Sequence, residues 1–441
     1  MELIDAMCST PNAQSVVEYS EAECYRRSYT TLFKAVKELK LGAMWLPQQL
    51  SHYLPRPKTW PFWLLIVDVT SVPRPYAQTL EDRSMVYQPE VVKGKLPVTI
   101  GHQYSTVALG LEPEVGVSSS WVLPMLSERV ASDKDKEQVG VEQIKLLLKA
   151  KTLPFADELT VVVEDSSYSK PACLYAQSQL PNLVTIARSR GTRTYYHQPV
   201  ACAELAMKSG PGHPTWYGER FALADPQTWS KADDCLTLWE TSRRGKEYRI
   251  EIQVWHNMLM PGKRQPHVIP MHQHPFSLVR IMRYDKEGNP ACKSALWLIV
   301  MGERRHELTL EQIYQAYSTR FDIEHFFRFG KQKLLLVDFQ TPKVECEENW
   351  FQLVHIAYAQ LWMARHVVNA FPRPWERNLP AMRKPQISPS LVQRDFARII
   401  RQFGTPALPP KPRGISPGRQ KNADFPKRIR QKVVVKGKKA A

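Results

Sequence analysis

Cysteine is scarce here: seven residues in 441, scattered from Cys8 to Cys346, with no C-x-x-C pair. An odd, dispersed set argues against a zinc ribbon or a disulfide framework and fits a reducing compartment. Long apolar runs are lacking too. The longest, around Trp60 to Val69, is too short to cross a bilayer and contains Asp68. The opening Met-Glu-Leu-Ile-Asp-Ala has neither the basic region nor the apolar stretch of a secretion signal. No internal repeat is visible. The chain is therefore expected in the cytosol. Acids are in deficit, 43 Asp plus Glu against 60 Lys plus Arg, a net charge of +17. Such a surplus makes a polyanion the first partner to consider. The 43% hydrophobic content allows a large core, and the length allows several domains.

Residues 1–58 read as helical. Ser20–Leu39 is one candidate helix, with Ser20 and Glu23 spaced as a capping box, and Leu41–Leu54 holds another. This segment is either a DNA-binding head or plain scaffold. The run ending Leu64-Leu-Ile-Val67 reads as a buried strand closed by Asp68. Strands are expected at Gln103–Leu111 and Trp121–Leu126, and an amphipathic helix over Asp135–Leu153. Thr160–Val163 repeats the first construction, an apolar strand followed by Glu164 and Asp165. Leu183–Ala187 is the next strand.

Over residues 188–295 the texture becomes β-rich and basic, with alternating segments at Lys246–His256 and Phe276–Tyr284. His272 and His274 form an H-x-H without a third ligand nearby, which reads as loop histidines rather than a metal site. Ser294–Met301 is an apolar strand containing Trp297. Trp350–Phe371 reads as a core helix, Pro372–Pro389 as a linker and Leu391–Phe403 as a last helix. From Lys411 the tail is strongly basic, with Asp424 its one acid. Such tails are normally disordered and touch phosphate backbones without reading sequence.

The most informative stretch is Tyr317–Lys331, read as one long helix. Arg320, Glu324 and Lys331 follow Tyr317 by 3, 7 and 14 residues. At about 100° per residue, the four share a stripe roughly 60° wide. Phe321, Ile323, Phe326, Phe327 and Phe329 occupy the remaining circumference, so the helix is expected to be buried. Buried charges need partners, metals or ligands.

Asp68, Asp165 and Glu324 thus form a candidate set of three carboxylates on separate elements. Such a set suits two hard divalent cations acting on a phosphodiester. Arg320 and Lys331 are then candidates to hold phosphate, and Tyr317 to donate to a phosphate oxygen.

On these residues the chain resembles the DDE transposases of bacterial insertion sequences, in the group marked by a Y-R-E-K signature. Tyr317, Arg320, Glu324 and Lys331 match that signature. Asp68-Val-Thr-Ser-Val72 and Val162-Val-Glu-Asp165 look like its first two acid motifs, with Glu164 a neighbouring alternative to Asp165. The resemblance covers roughly residues 60–365. It implies an α/β fold with a ribonuclease-H-like catalytic core over 59–187 and 296–371. A β-rich insertion would fill 188–295, between the helical segment 1–58 and the linker, short helix and basic tail of 372–441. It also implies cleavage of transposon ends and joining of 3′-OH ends to target DNA, with two Mg²⁺ ions for which Mn²⁺ substitutes. The partners implied are double-stranded DNA and a second copy in an end-paired homodimer, on the bacterial nucleoid in the cytoplasm. By the same resemblance Arg188 stands near the cleaved end and Trp297 stacks on an extruded base. A tryptophan in an apolar strand is equally a core residue. Two other readings remain: an inactive or domesticated DNA-binding protein, and a structure-specific nuclease on the same fold.

Overall fold

The computed structural model describes residues 1–88, 97–112, 121–199, 216–242, 245–262, 269–370, 387–402 and 427–435. Its strands are β1 (Trp63–Pro73), β2 (Ser84–Tyr87), β3 (Val98–Gly110), β4 (Val122–Val130), β5 (Thr160–Glu164) and β6 (Leu183–Ser189). They continue with β7 (Thr194–Tyr196), β8 (Arg220–Ala222), β9 (Asp234–Thr241), β10 (Glu247–Met258), β11 (Phe276–Tyr284) and β12 (Leu296–Met301). The helices are α1 (Glu2–Ser9), α2 (Tyr29–Glu38), α3 (Trp45–Leu50), α4 (Lys136–Lys149) and α5 (Pro171–Ser178). After them come α6 (Leu310–Thr319), α7 (Asp322–Lys333), α8 (Val344–Ala370) and α9 (Pro389–Gln402). The chain divides into two compact units. The first comprises Met1–Arg56, Asp68–Gly140 and Phe321–Ala441; the second comprises Pro57–Val67 and Val141–Arg320.

The second unit is built on a mixed sheet in the order β1-β5-β6-β12-β11-β10-β9. β1, β5 and β6 are parallel, with Ile66 beside Val163 and Val163 beside Ile186. All five residues of β5 are buried. A strand covered on both faces reads as an unbroken apolar run, which is why Thr160–Val163 was legible. From β6 outward the pairing is antiparallel through β12, β11, β10 and β9. Here β10 alternates between buried and wetter residues, while β12 and most of β11 are buried on both faces. Leaving β12, Gly302 has φ +143 and its position for a Cβ lies 2.4 Å from the Leu183 carbonyl oxygen, so only glycine fits.

In the first unit β3 carries β2 and β4 as antiparallel partners and neighbours β1. Helix α8 packs on β4, and α1, α2 and α9 pack on α8. Cys8 donates from Sγ to the Ala357 carbonyl at 3.3 Å, and Gln360 donates to Asp5 at 2.7 Å. The N-terminal segment is therefore bonded into this unit, as scaffold is. A buried carboxylate, Glu347, sits at its centre. It accepts from Arg74 Nε at 2.8 Å, His102 Nδ1 at 2.7 Å and the Tyr104 hydroxyl at 3.0 Å.

Several expectations are corrected. Ser20–Leu39 is not one helix: a short 3-10 turn covers Val16–Glu21, and α2 begins only at Tyr29. Ser20 bonds its hydroxyl to the Val17 carbonyl at 2.6 Å, so it closes that turn instead of capping a helix. Asp68 lies inside β1, not at its end. Helix α8 begins at Val344, six residues before the expected Trp350. Of the linker, residues 372–386 lie outside the described ones, as do 411–426 and 436–441 of the tail. The tail's Lys427–Val435 is ordered: Gln431 N donates to Gln78 O at 2.9 Å and Val434 N to Arg83 O at 2.8 Å. Two backbone bonds and a parallel bridge from Val434 to Ser84 hold it, a local gain that composition does not reveal.

Candidate active site

The stretch Tyr317–Lys331 is two helices, not one. Thr309 caps α6 with a complete capping box to Gln312. The helix then tightens: Arg320 N bonds Tyr317 O at 3.1 Å and Glu324 N bonds Phe321 O at 3.1 Å. Three-residue closures advance the chain faster than 100° per residue. The predicted stripe therefore holds only within each helix. Tyr317 and Arg320 are buried in the second unit, at 2% and 7% exposure. Glu324 is exposed and Lys331 half-buried in the first unit, two turns apart on α7. Phe321, expected in the core, is 49% exposed, while Ile323, Phe326, Phe327 and Phe329 are buried. Burial lowers the Lys331 ammonium below the usual lysine range.

In the second unit, Asp165, Arg188 and Arg320 lie near enough to Tyr317 to act on its charge. Asp165 is the first residue past β5 and is half-buried. Its Oδ1 accepts from the Ser167 amide at 2.8 Å and the Ser167 hydroxyl at 2.6 Å, a turn that fixes the carboxylate. Arg188 is the exposed residue of β6. The Tyr317 phenol is raised above its ordinary value by burial; Arg320 and Arg188 pull it back and Asp165 pushes it up. That electrical environment puts one carboxylate and two guanidiniums around one protonated phenol. The Arg320 guanidinium carbon lies 5.8 Å from the Tyr317 ring centre. Such a set suits an anion held beside a cation.

Glu164 points the other way, as successive strand residues must. It is completely buried, and its Oε1 accepts from Gln177 Nε2 at 2.9 Å. Gln177 in turn accepts from the Thr185 hydroxyl at 2.6 Å. Burial pushes the Glu164 carboxyl up to about 8; the Gln177 bond opposes this and Asp165 adds to it. Sequence marked the Glu-Asp pair but not Gln177, whose role depends on α5 packing on β6.

In the first unit Asp68 is half-buried on β1 and accepts from the Val69 amide at 2.8 Å. Among the described residues, no group of three or more His, Cys, Asp and Glu is gathered tightly enough to hold a metal. By donor type, the carboxylates of Asp68, Asp165 and Glu324 fit a hard cation such as Mg²⁺.

Trp297 does not present a face to a base. It is 4% exposed, with ring centres of Trp229, Trp255 and Phe221 at 5.2, 5.8 and 6.1 Å. On β12 its side chain packs into this aromatic cluster, as a core residue does. Trp297→Ala is expected to cost about 3–5 kcal/mol of stability. Urea unfolding of the variant checks this, and an unchanged midpoint would mean that the ring adds nothing to the core. His272 stacks on Trp216 at 4.0 Å, and His274 meets Tyr175 edge-on at 4.9 Å.

The family model described as DDE superfamily endonuclease matches residues 1–261. That is more than half of the chain, and the protein belongs to this family. Membership implies a metal-dependent nuclease of the nuclease and transposase type, with DNA as substrate, and such endonucleases typically use divalent metal ions. The mixed sheet flanked by helices is consistent with a ribonuclease-H-like DDE fold. Asp68, Asp165 and Arg188 lie inside the matched span; Trp297, Tyr317, Arg320, Glu324 and Lys331 lie beyond it. No protein of curated function matches the chain. Among the described residues no helix is long and apolar enough to cross a membrane.

Proposed function

We propose that this protein is a cut-and-paste DNA transposase of the Y-R-E-K group. It would cut transposon ends and join their 3′-OH groups to target DNA, working as a homodimer that pairs two ends. The observation that carries the reading is that Asp165, Arg188 and Arg320, from three stretches of sequence, all act on the charge of the buried Tyr317 phenol. The β1–β5 register adds support: Asp68 and Asp165 each follow two residues after the partners Ile66 and Val163. Asp68, Asp165 and Glu324 would hold two Mg²⁺ ions, or Mn²⁺ in their place. Bound there, the ions would supply an activated water or 3′-OH and neutralise the leaving oxygen.

The chain's own groups do the rest. Arg188 and Arg320 hold the scissile phosphate, and a guanidinium does so bidentately. Tyr317 keeps its proton and donates a hydrogen bond to a phosphate oxygen. Lys331 adds a further positive charge. The Ser167 bonds keep the Asp165 carboxylate from turning away.

The test uses a pre-cut 3′-OH end and a target plasmid. Joined product is expected. Cleavage without joining would make the protein a structure-specific nuclease, and binding alone would make it an inactive or domesticated DNA-binding protein.

The tail gives a separate prediction. Deleting residues 411–441 is expected to weaken DNA binding at all sequences alike. The slope of log K against log salt should become shallower by about 0.9 for each phosphate that the tail neutralises in the full chain. An unchanged slope means the tail serves only to bond Gln78 and Arg83.

A further inference from the structure

Strand β2 stands at one end of the sheet order, and the ordered part of the tail lies along it and the loop before it. Gln431 N donates to Gln78 O at 2.9 Å and Val434 N to Arg83 O at 2.8 Å, while Val434 bridges Ser84 in parallel. From Arg430 to Val434 exposure alternates. Arg430, Lys432 and Val434 are exposed, and Gln431 and Val433 are half-buried. That is the pattern of an extended segment lying on a surface. Arg430 and Lys432 therefore share its outer face, about 6.6 Å apart along the chain. Lys427 and Arg428 are exposed as well. Among the described residues none of these four is paired with an acid. The loop beneath holds two acids. Asp82 is engaged by Arg129 and by the Ser132 amide at 3.2 Å, and Glu81 is exposed. The surface is thus cationic, four against one free carboxylate.

A covered edge strand is shielded from pairing with other chains, and a charged cover serves that end. Shielding needs just the stretch beside β2, which begins at Ser84. The four cations come before the bridge to Ser84, where there is no strand edge to shield. Cations held in place lose less freedom on meeting a polyanion than cations on a free chain. We propose that residues 427–435 are a docked contact strand for the phosphate backbone of double-stranded DNA, with Arg430 and Lys432 on the phosphates. The inference rests on the DNA reading above and adds where the tail acts: on the surface of the first unit, in fixed register, without reading sequence.

The experiment measures binding of the full chain to a short duplex of arbitrary sequence, without divalent metal, by fluorescence anisotropy across a salt series. Arg430→Gln with Lys432→Gln should weaken binding about tenfold or more. It should also make the slope of log K against log salt shallower by about 1.8, for two phosphates no longer neutralised. Both side chains are exposed, so this variant keeps the fold. Gln431→Pro with Val434→Pro removes both docking amides and leaves the cations in place. It should weaken binding about tenfold, because a loosened tail must be ordered again on the DNA. Tyr76, two residues before Gln78, is 93% exposed. Tyr76→Glu sets a negative charge beside the docked strand and should weaken binding about fivefold. An unchanged slope in the charge variant makes the tail an edge cover and overturns the proposal. Wild-type affinity in the proline variant overturns it too, since the tail then works undocked. Should that variant lose its fold, Tyr76→Glu decides the same point. A chain that binds DNA through this strand but never joins it overturns the transposase reading alone.

Discussion

Asp165→Asn is expected to lower DNA cleavage about a thousandfold while leaving the fold and end binding intact. Losing one ligand charge from a two-metal site removes several kcal/mol of transition-state stabilisation, and about 4 kcal/mol corresponds to that factor. Asp68→Asn and Glu324→Gln are expected to behave alike. The neighbouring substitution separates this reading from its rival. Glu164 is buried and bonded by Gln177, so Glu164→Gln keeps the shape and should retain cleavage. It should also change the pH dependence of stability. The folded carboxyl holds its proton up to about 8, against an ordinary 4.5. Between those values the folded state binds the extra proton, so wild-type stability falls as pH rises, by a few kcal/mol in all. The glutamine variant lacks that decline and should be the more stable protein near pH 8. Cleavage lost in Glu164→Gln and kept in Asp165→Asn would reverse the assignment.

Glu347→Gln is expected to cost about 3–5 kcal/mol, because it leaves the buried Arg74 guanidinium without its acid. Arg74, His102 and Glu347 are each no more than 2% exposed. Both partners of His102 are acceptors: Glu347 Oε1, and the Glu81 carbonyl at 2.9 Å from Nε2. Arg74 also donates to the carbonyls of Val337 at 2.6 Å and Phe339 at 3.1 Å, so the acid ties separate segments of the first unit together. Burial pushes the Glu347 carboxyl up, but the bonds from His102, Arg74 and Tyr104 outweigh it and hold it below the ordinary 4.5. The unfolded chain therefore binds more protons in acid, and this contribution is present above about 4.5 and lost as pH falls below it. Urea midpoints measured through that range should flatten in the variant. A loss under 1 kcal/mol, or a wild-type curve without the acid decline, would show that the network holds little.

Local pattern made much of this protein readable. Thr160–Val163 and Leu183–Ala187 stood out as strands because a parallel strand buried on both faces leaves an apolar run, and Lys246–His256 because a half-wet sheet alternates. Phe276–Tyr284 is a strand too, but it is buried over most of its length and not half-exposed as expected. Asp165, Arg188, Tyr317 and Arg320 could be picked out by residue type and spacing. The helix junction at Arg320 could not, since neither proline nor glycine marks it. The cap of α2 was misplaced because Ser20 and Glu23 fit a capping box without a helix behind them.

By itself the sequence determined the strand pattern, the excess of positive charge and the candidate acids, since each depends on residues near one another in the chain. Only the tertiary structure decided which way neighbouring side chains face and what they meet. Glu164 turned inward to Gln177 while Asp165 did not, and Trp297 entered an aromatic core. Glu347 gathered Arg74 and His102 from more than 240 residues away. Burial and pairing set the charge state and freedom of each group, and both depend on neighbours distant in sequence.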